Sequence, residues 1–275
     1  MPKSTIDTWK PDFFQQSPLF DAIQHVSIPF ARMSQWPTLE QFSSELRKKG
    51  IRSHGSQPVH AVAQAAKPEK FDDLYESRIY LKGELQTRLE NWHDFFNAMC
   101  WLQFPKTKAA LNALHYECSR IRKAGTNRSS LENAITLFDE CGAIIVADDE
   151  FMLDLIRKHH WKQLFFEHRE KFCEHMQCYV FGHAMFEKAI KPYIGMTAHA
   201  VLIKQDSDFF QKGYLEQLAH VDSLVSAAWL NKEIETPVGL QPFPLLGMPG
   251  WWTGGQGEEF YSNEVYFRTR RRVSP

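Results

Sequence analysis

Residues 134–147 read Ala134-Ile135-Thr136-Leu137-Phe138-Asp139-Glu140-Cys141-Gly142-Ala143-Ile144-Ile145-Val146-Ala147. Two apolar runs rich in β-branched residues flank Asp139-Glu140-Cys141-Gly142. The pattern predicts a β-hairpin turning around Cys141-Gly142, with strands over 134–139 and 143–147. On this reading the two acids sit at a turn, where they could present a general base or a metal carboxylate to a cleft. Asp148-Asp149 then opens a helix through about His159, its acids suited to the N-terminal dipole.

Further downstream, 161–190 predicts one long helix or two joined, ended by Pro192. His199–Lys204 reads as a strand and 208–230 as a helix. The Pro/Gly/Trp-rich segment from 237 to 275 ends in a strand-like Glu264–Arg268.

Upstream, Trp92, Phe95, Phe96, Met99 and Leu102 share one helical face and predict a helix over 91–103. Phe104-Pro105 breaks it. A second helix follows over 106–122, with Leu111, Leu114, Cys118 and Ile121 spaced by three and four. Tyr75, Ser77, Ile79 and Leu81 alternate with Glu76, Arg78 and Tyr80, which predicts a strand turning at Lys82-Gly83. A short strand is expected at Val59–Gln64. Thr38 with Gln41 forms a capping box for a helix stopped by Gly50. Residues 1–37 read as an irregular arm with one short helix, capped by Ser17 and led by Pro18. The fold class expected is α+β, mainly helical with several short antiparallel strands, in a single domain over 1–275.

Composition narrows the function classes. With 43% apolar and 24% charged residues, the chain is not a disordered one. Its net charge of -1 gives no whole-molecule attraction to nucleic acid or anionic membrane. Arg268, Arg270, Arg271 and Arg272 read as a solvated tail. No apolar run reaches the ~18 residues of a spanning helix, and the first residues lack the apolar core of a signal peptide. The five cysteines have no disulfide or zinc spacing, and Cys173 with Cys178 reads as two small apolar residues. Free thiols suit the cytoplasm. No partner is indicated.

The 12 histidines stand out against 21 Phe and 8 Trp. His93 and Asn97 are one helical turn apart, so their side chains meet. Cys100, about 10 Å further along the axis from His93, is out of reach for a thiol–imidazole pair. In Gly182-His183-Ala184-Met185-Phe186-Glu187-Lys188, His183 and Glu187 are again one turn apart, a spacing that can hold one metal ion. His199 on the expected strand would complete the set. Imidazole plus carboxylate suits a divalent metal such as zinc or manganese. The candidate ligands are therefore His93, His183, Glu187 and His199, with Asp94 or Glu140 as proton acceptor in a hydrolase-like site. The alternative is a non-catalytic binding protein in which the same residues form an internal network fixing helix packing. HExxH, Walker A, GxSxG and dinucleotide GxGxxG patterns are all absent from the sequence.

Assembled, the blocks Asn91-Trp92-His93-Asp94-Phe95-Phe96-Asn97-Ala98, Lys108-Ala109-Ala110-Leu111-Asn112-Ala113 and Phe138-Asp139-Glu140 carry a resemblance. So do Phe181-Gly182-His183-Ala184, Thr197-Ala198-His199-Ala200 and Pro249-Gly250-Trp251-Trp252. Over roughly 75–270 the chain resembles the bacterial domain of unknown function 3025 family, with Cys141 replacing an Asn-like turn residue. The resemblance implies no activity, substrate or cofactor. It directs attention to Asn97, Asn112, Asp139 and Lys188 beside the residues already named. Asp94, Glu140 and Lys188 are thus the candidate catalytic groups.

Overall fold

The computed structural model describes residues 7–122 and 125–269. Arg270, Arg271 and Arg272 of the basic tail lie outside the described residues, as do the first six residues of the arm. The strands are β1 (His60–Ala63), β2 (Glu84–Thr87), β3 (Gly142–Ala147), β4 (Met176–Val180), β5 (Thr197–Lys204) and β6 (Gln241–Pro244). The helices are α1 (Gln24–Ala31), α2 (Leu39–Lys48), α3 (Tyr75–Lys82), α4 (Trp92–Gln103), α5 (Pro105–Ile121) and α6 (Ser130–Cys141). They continue with α7 (Glu150–Arg157), α8 (Arg169–His175), α9 (His183–Ala189), α10 (Tyr214–Leu230) and α11 (Glu258–Tyr261). The chain is α+β and mainly helical.

β3 organises the packing. All of its residues are buried. Alternation sends Ala143, Ile145 and Ala147 into one apolar cluster and Ile144 and Val146 into another. A strand apolar on both faces has to be covered on both. α5, α6 and α10 cover one side through Leu111, Phe138, Val225 and Trp229. α4, α7 and α9 cover the other with the aromatic arm. The sheet order is β4-β3-β5-β6. β3 is antiparallel to β4 and parallel to β5, and β5 is antiparallel to β6. A separate parallel pair joins β1 and β2.

The structure corrects four sequence expectations. Residues 134–139 are not a strand but the body of α6. The Ser129 hydroxyl accepts from Glu132 N, and the Glu132 carboxylate accepts from Ser129 N. That capping box, with Ala134, Ile135 and Phe138 on the buried face, outweighs the β preference of Ile135 and Thr136. Residues 75–81 are likewise helical. Over so few residues, alternation does not separate a period of two from one of 3.6. Gly83 ends this helix at φ +72°, and a Cβ there would lie 2.1 Å from Pro58 O, so the position demands glycine.

The predicted 161–190 helix is a π-turn (Gln163–Glu167), α8, β4 and α9. Met176, Cys178 and Val180 face one cluster and Tyr179 the other, so the segment satisfies a strand apolar on both sides. Glu264–Arg268 forms turns, not a strand. Tyr266 fixes it by donating to Met196 O and accepting from Leu246 N.

The arm packs as core. Phe13 and Phe20 are fully buried, and Trp9, Trp36 and Trp92 cluster around Phe95, Trp9 stacked on Trp92 and Phe95 meeting Trp9 and Trp92 edge-on. His25, on α1, is pushed down to about 4 by burial and by nearby Lys49. Protonation therefore favours the unfolded chain. The His25 contribution to stability is complete above pH 6.5 and is lost as pH falls through about 4. His25→Asn is expected to flatten the decline of melting temperature over that acid window, as read by calorimetry. No helix among the described residues is long and apolar enough to cross a membrane.

Candidate metal centre and its cavity

The centre begins at one close backbone approach. Gly182, the N-cap of α9, donates its N–H to Gly142 O. A Cβ on Gly182 would lie 2.4–2.5 Å from Gly142 N, Cys141 N and Glu140 O. Only glycine lets the start of α9 rest on the α6–β3 junction. This contact sets His183, the first residue of α9, beside Asp139 and Glu140 in the last turn of α6. Gly182→Ala is expected to cost roughly 1–3 kcal/mol, measured by denaturant unfolding.

α4 brings the second imidazole. Asn91 caps this helix by accepting from Asp94 N, and His93 lies in its first turn. The Nε2 atoms of His93 and His183 face each other at 3.0 Å. His93 Nδ1 is 2.9 Å from Glu187 Oε2. A carboxylate only accepts, so Nδ1 carries the proton and a neutral His93 presents its Nε2 lone pair to His183. His183 Nδ1 faces Asp139 Oδ2 at 3.6 Å, and its Nε2 is 3.6 Å from Glu140 Oε2. Ligand atoms of His93, Glu140 and His183 all lie within 4.8 Å of one another, a group that could hold a metal ion.

The environment tunes each group. Burial lowers His183 to about 3, keeping it neutral. The bond to Glu187 holds His93 above its ordinary value despite burial, and the same bond holds Glu187 below the usual carboxyl range. Burial raises Glu140, partly offset by the nearby His93. Burial alone would raise Asp139 as well, but Lys108 together with His183 and His115 outweighs it and the net shift is downward.

Lys108, 5% exposed, links these groups. Its Nζ donates to Asp139 Oδ1 at 2.6 Å and to Asn97 Oδ1 at 2.8 Å. Asn97 Nδ2 in turn donates to the Tyr75 hydroxyl at 2.8 Å. Three polar pairs then tie α5 and its C-cap residue Arg122 to α6: Lys108–Asp139, His115–Thr136 at 3.4 Å and Arg122–Glu132 at 2.9 Å. They border a cavity of about 490 Å³ that contains His93, His183 and Glu140 in its lining and extends past Thr136 to Arg128.

The sequence-predicted residues divide by place. His93, Asp94, Glu140 and His183 all line the cavity. Asp94 is occupied by Arg88, whose backbone N–H, Nε and Nη2 donate to it at 2.6–3.0 Å. Glu187 stands behind His93, so Glu140 is the carboxylate that joins the two imidazoles. Lys188 contacts Cys141 Sγ at 3.5 Å and does not line the cavity. His199 pairs in register with Gly142 on β5 and stays outside the group. Cys100 is buried and directs its Sγ to Phe181 O.

Sequence reasoning misses Lys108, Tyr75, Arg88 and Glu132. Lys108 is legible as a cation three residues before Leu111, on the apolar stripe of α5. Glu132, Thr136, Asp139 and Glu140 fall at i, i+4, i+7 and i+8, one face of a helix, but the hairpin reading conceals that.

The family described as "Protein of unknown function (DUF3025)" matches residues 59–271, well over half of the chain. The chain belongs to this family. Every residue of the DUF3025 centre described above lies within the matched span, whereas Trp9, Phe13, Phe20 and Trp36 of the arm precede it. Comparison with curated proteins and with solved structures finds no match.

Proposed function

We propose that the protein is a metal-dependent hydrolase whose divalent ion is held by His93, His183 and Glu140. The observation that carries this reading is the pair of Nε2 atoms facing each other at 3.0 Å, with Glu140 Oε2 3.6 Å from one of them. A tetrahedral ion with bonds of about 2.0–2.1 Å sets nitrogen ligands roughly 3.3 Å apart, close to the separation found. Behind His93 stands Glu187, whose bond to Nδ1 fixes tautomer and ring orientation as partners do at histidine metal sites, while Asp139 Oδ2 lies 3.6 Å from His183 Nδ1, beyond hydrogen-bond range.

Charge supports the same assignment. The cavity lining contains five carboxylates (Glu76, Asp94, Glu132, Asp139, Glu140) against three guanidinium groups (Arg88, Arg122, Arg128). With Lys108 paired to Asp139 the lining still carries an excess of negative charge, which favours a cation there. Two imidazoles and one carboxylate suit zinc or manganese and leave positions for water and substrate. An ion held by His93, His183 and Glu140 would supply Lewis-acid chemistry, polarising a substrate oxygen and activating water. Asp94, held by Arg88, is not assigned as the base. Lys188 and His199 are given no part in this chemistry. The five free thiols fit a reducing compartment, and we assign the protein to the cytoplasm.

Elemental analysis of purified protein should find about one zinc or manganese per chain. Zinc at 100 times its dissociation constant should stabilise the fold by about 2.7 kcal/mol. Metal content near zero together with an unmoved melting curve on adding zinc or manganese would sink the reading.

A further inference from the structure

We infer that the cavity takes a substrate bearing an anionic oxygen group, phosphate or carboxylate, held by Arg128 and by the Tyr75 hydroxyl. The inference rests on the proposed function only in taking the same cavity as the site.

The argument for Tyr75 follows from hydrogen-bond polarity. Lys108 can only donate, so the Asn97 atom 2.8 Å from it must be the oxygen. The other Asn97 atom is therefore the amide nitrogen, and it donates to Tyr75. The phenolic oxygen is thus an acceptor in this contact. Its own proton has no acceptor among the described residues and is left for a molecule in the cavity, which Tyr75 lines beside His93. Lys108 and Asn97, both less than a tenth exposed, hold this polarity rigidly.

Arg128 is the second uncommitted donor. Arg88 is spent on Asp94 and Arg122 on Glu132. Among the described residues no carboxylate pairs with Arg128, which makes one 3.4 Å contact with Thr136 Oγ1. Thr136 stands one turn of α6 before Glu140, about 6 Å along the helix axis. A guanidinium fork matches the paired oxygens of phosphate or carboxylate. The anionic oxygens of the substrate meet Arg128 and the Tyr75 hydroxyl, both of which line the cavity. A cavity of about 490 Å³ accommodates a small-molecule substrate.

The test is calorimetric titration of the full chain with inorganic phosphate in one arm and succinate in the other, each on metal-free and zinc-loaded protein. Glycerol serves as the neutral control. At least one anion should bind. Arg128→Gln should weaken it about tenfold and Tyr75→Phe several-fold. Zinc affinity, titrated separately, should stay within about twofold of wild type in both variants. Phosphate preference assigns the anion as a phosphate and succinate preference as a carboxylate. Binding of neither anion in either state overturns the inference, as does anion binding indifferent to both substitutions or equal binding of glycerol. If zinc fails to bind but anion binding depends on Arg128 and Tyr75, the metal reading falls and this inference stands. If zinc binds and that dependence is missing, the inference falls and the metal reading stands.

Discussion

His183→Ala is expected to abolish zinc-dependent stabilisation. Of the three groups in the centre, His183 is the least exposed at 4%, and burial keeps its ring neutral and ready to ligate. It also links the other two: its Nε2 is 3.0 Å from His93 Nε2 and 3.6 Å from Glu140 Oε2. Removing it leaves only His93 and Glu140, too few ligands to hold an ion tightly. Glu187→Gln retains all three and disturbs only the partner that orients His93, so its cost should be the roughly 10–100-fold loss typical of such residues. His183→Ala should exceed that loss. Zinc titration monitored by thermal melting separates the two variants. A purely structural imidazole pair gives another pattern: His183→Ala lowers the melting temperature, and zinc moves neither wild type nor variant.

Lys108→Met should have the largest effect on stability. The ammonium group is almost fully buried and is shared between Asp139 and Asn97. Breaking a buried pair on one side costs roughly 3–5 kcal/mol because the remaining charge is unpaired. Asp139 keeps a side-chain exposure of 25%, which places the expected loss near the lower end, about 3 kcal/mol. The double variant Lys108→Met/Asp139→Leu should recover much of it, since a packed apolar pair replaces an ionic one at little net cost. Denaturant unfolding of the two single variants and the double closes the cycle. If Lys108→Met is as stable as wild type, the ammonium does not hold Asp139 in place.

The parts of this molecule legible in the sequence are those governed by local signals. The Thr38–Gln41 capping box, the Asn91–Gln103 stripe, the break at Phe104-Pro105 and the β5 segment each depend on neighbours within a few residues, and each stands where the sequence places it. The errors lie where one local pattern fits two structures. Ile135–Phe138 could be strand or helix, and a capping box several residues upstream decides it. Met176–Val180 becomes a strand because β3 needs an antiparallel neighbour, a demand no window around residue 178 contains.

The centre shows the same division. Imidazoles and acids can be singled out by type, but their partners depend on which helices meet. At a turn, Glu140 would be an exposed base; on α6 it stands beside two imidazoles, while Glu187 lies behind one of them. Lys108 escapes notice because a buried lysine is rare, and its carboxylate lies 31 residues away.

The parallel β3–β5 pairing joins segments separated by a whole βα excursion, from Gly142 to His199. His93 and His183 are themselves 90 positions apart in the chain. Loop closure over such distances makes high-contact-order pairings slow to form. The proposed ion site should therefore assemble late, after the transition state for folding. Added zinc should then slow unfolding while leaving the refolding rate almost unchanged.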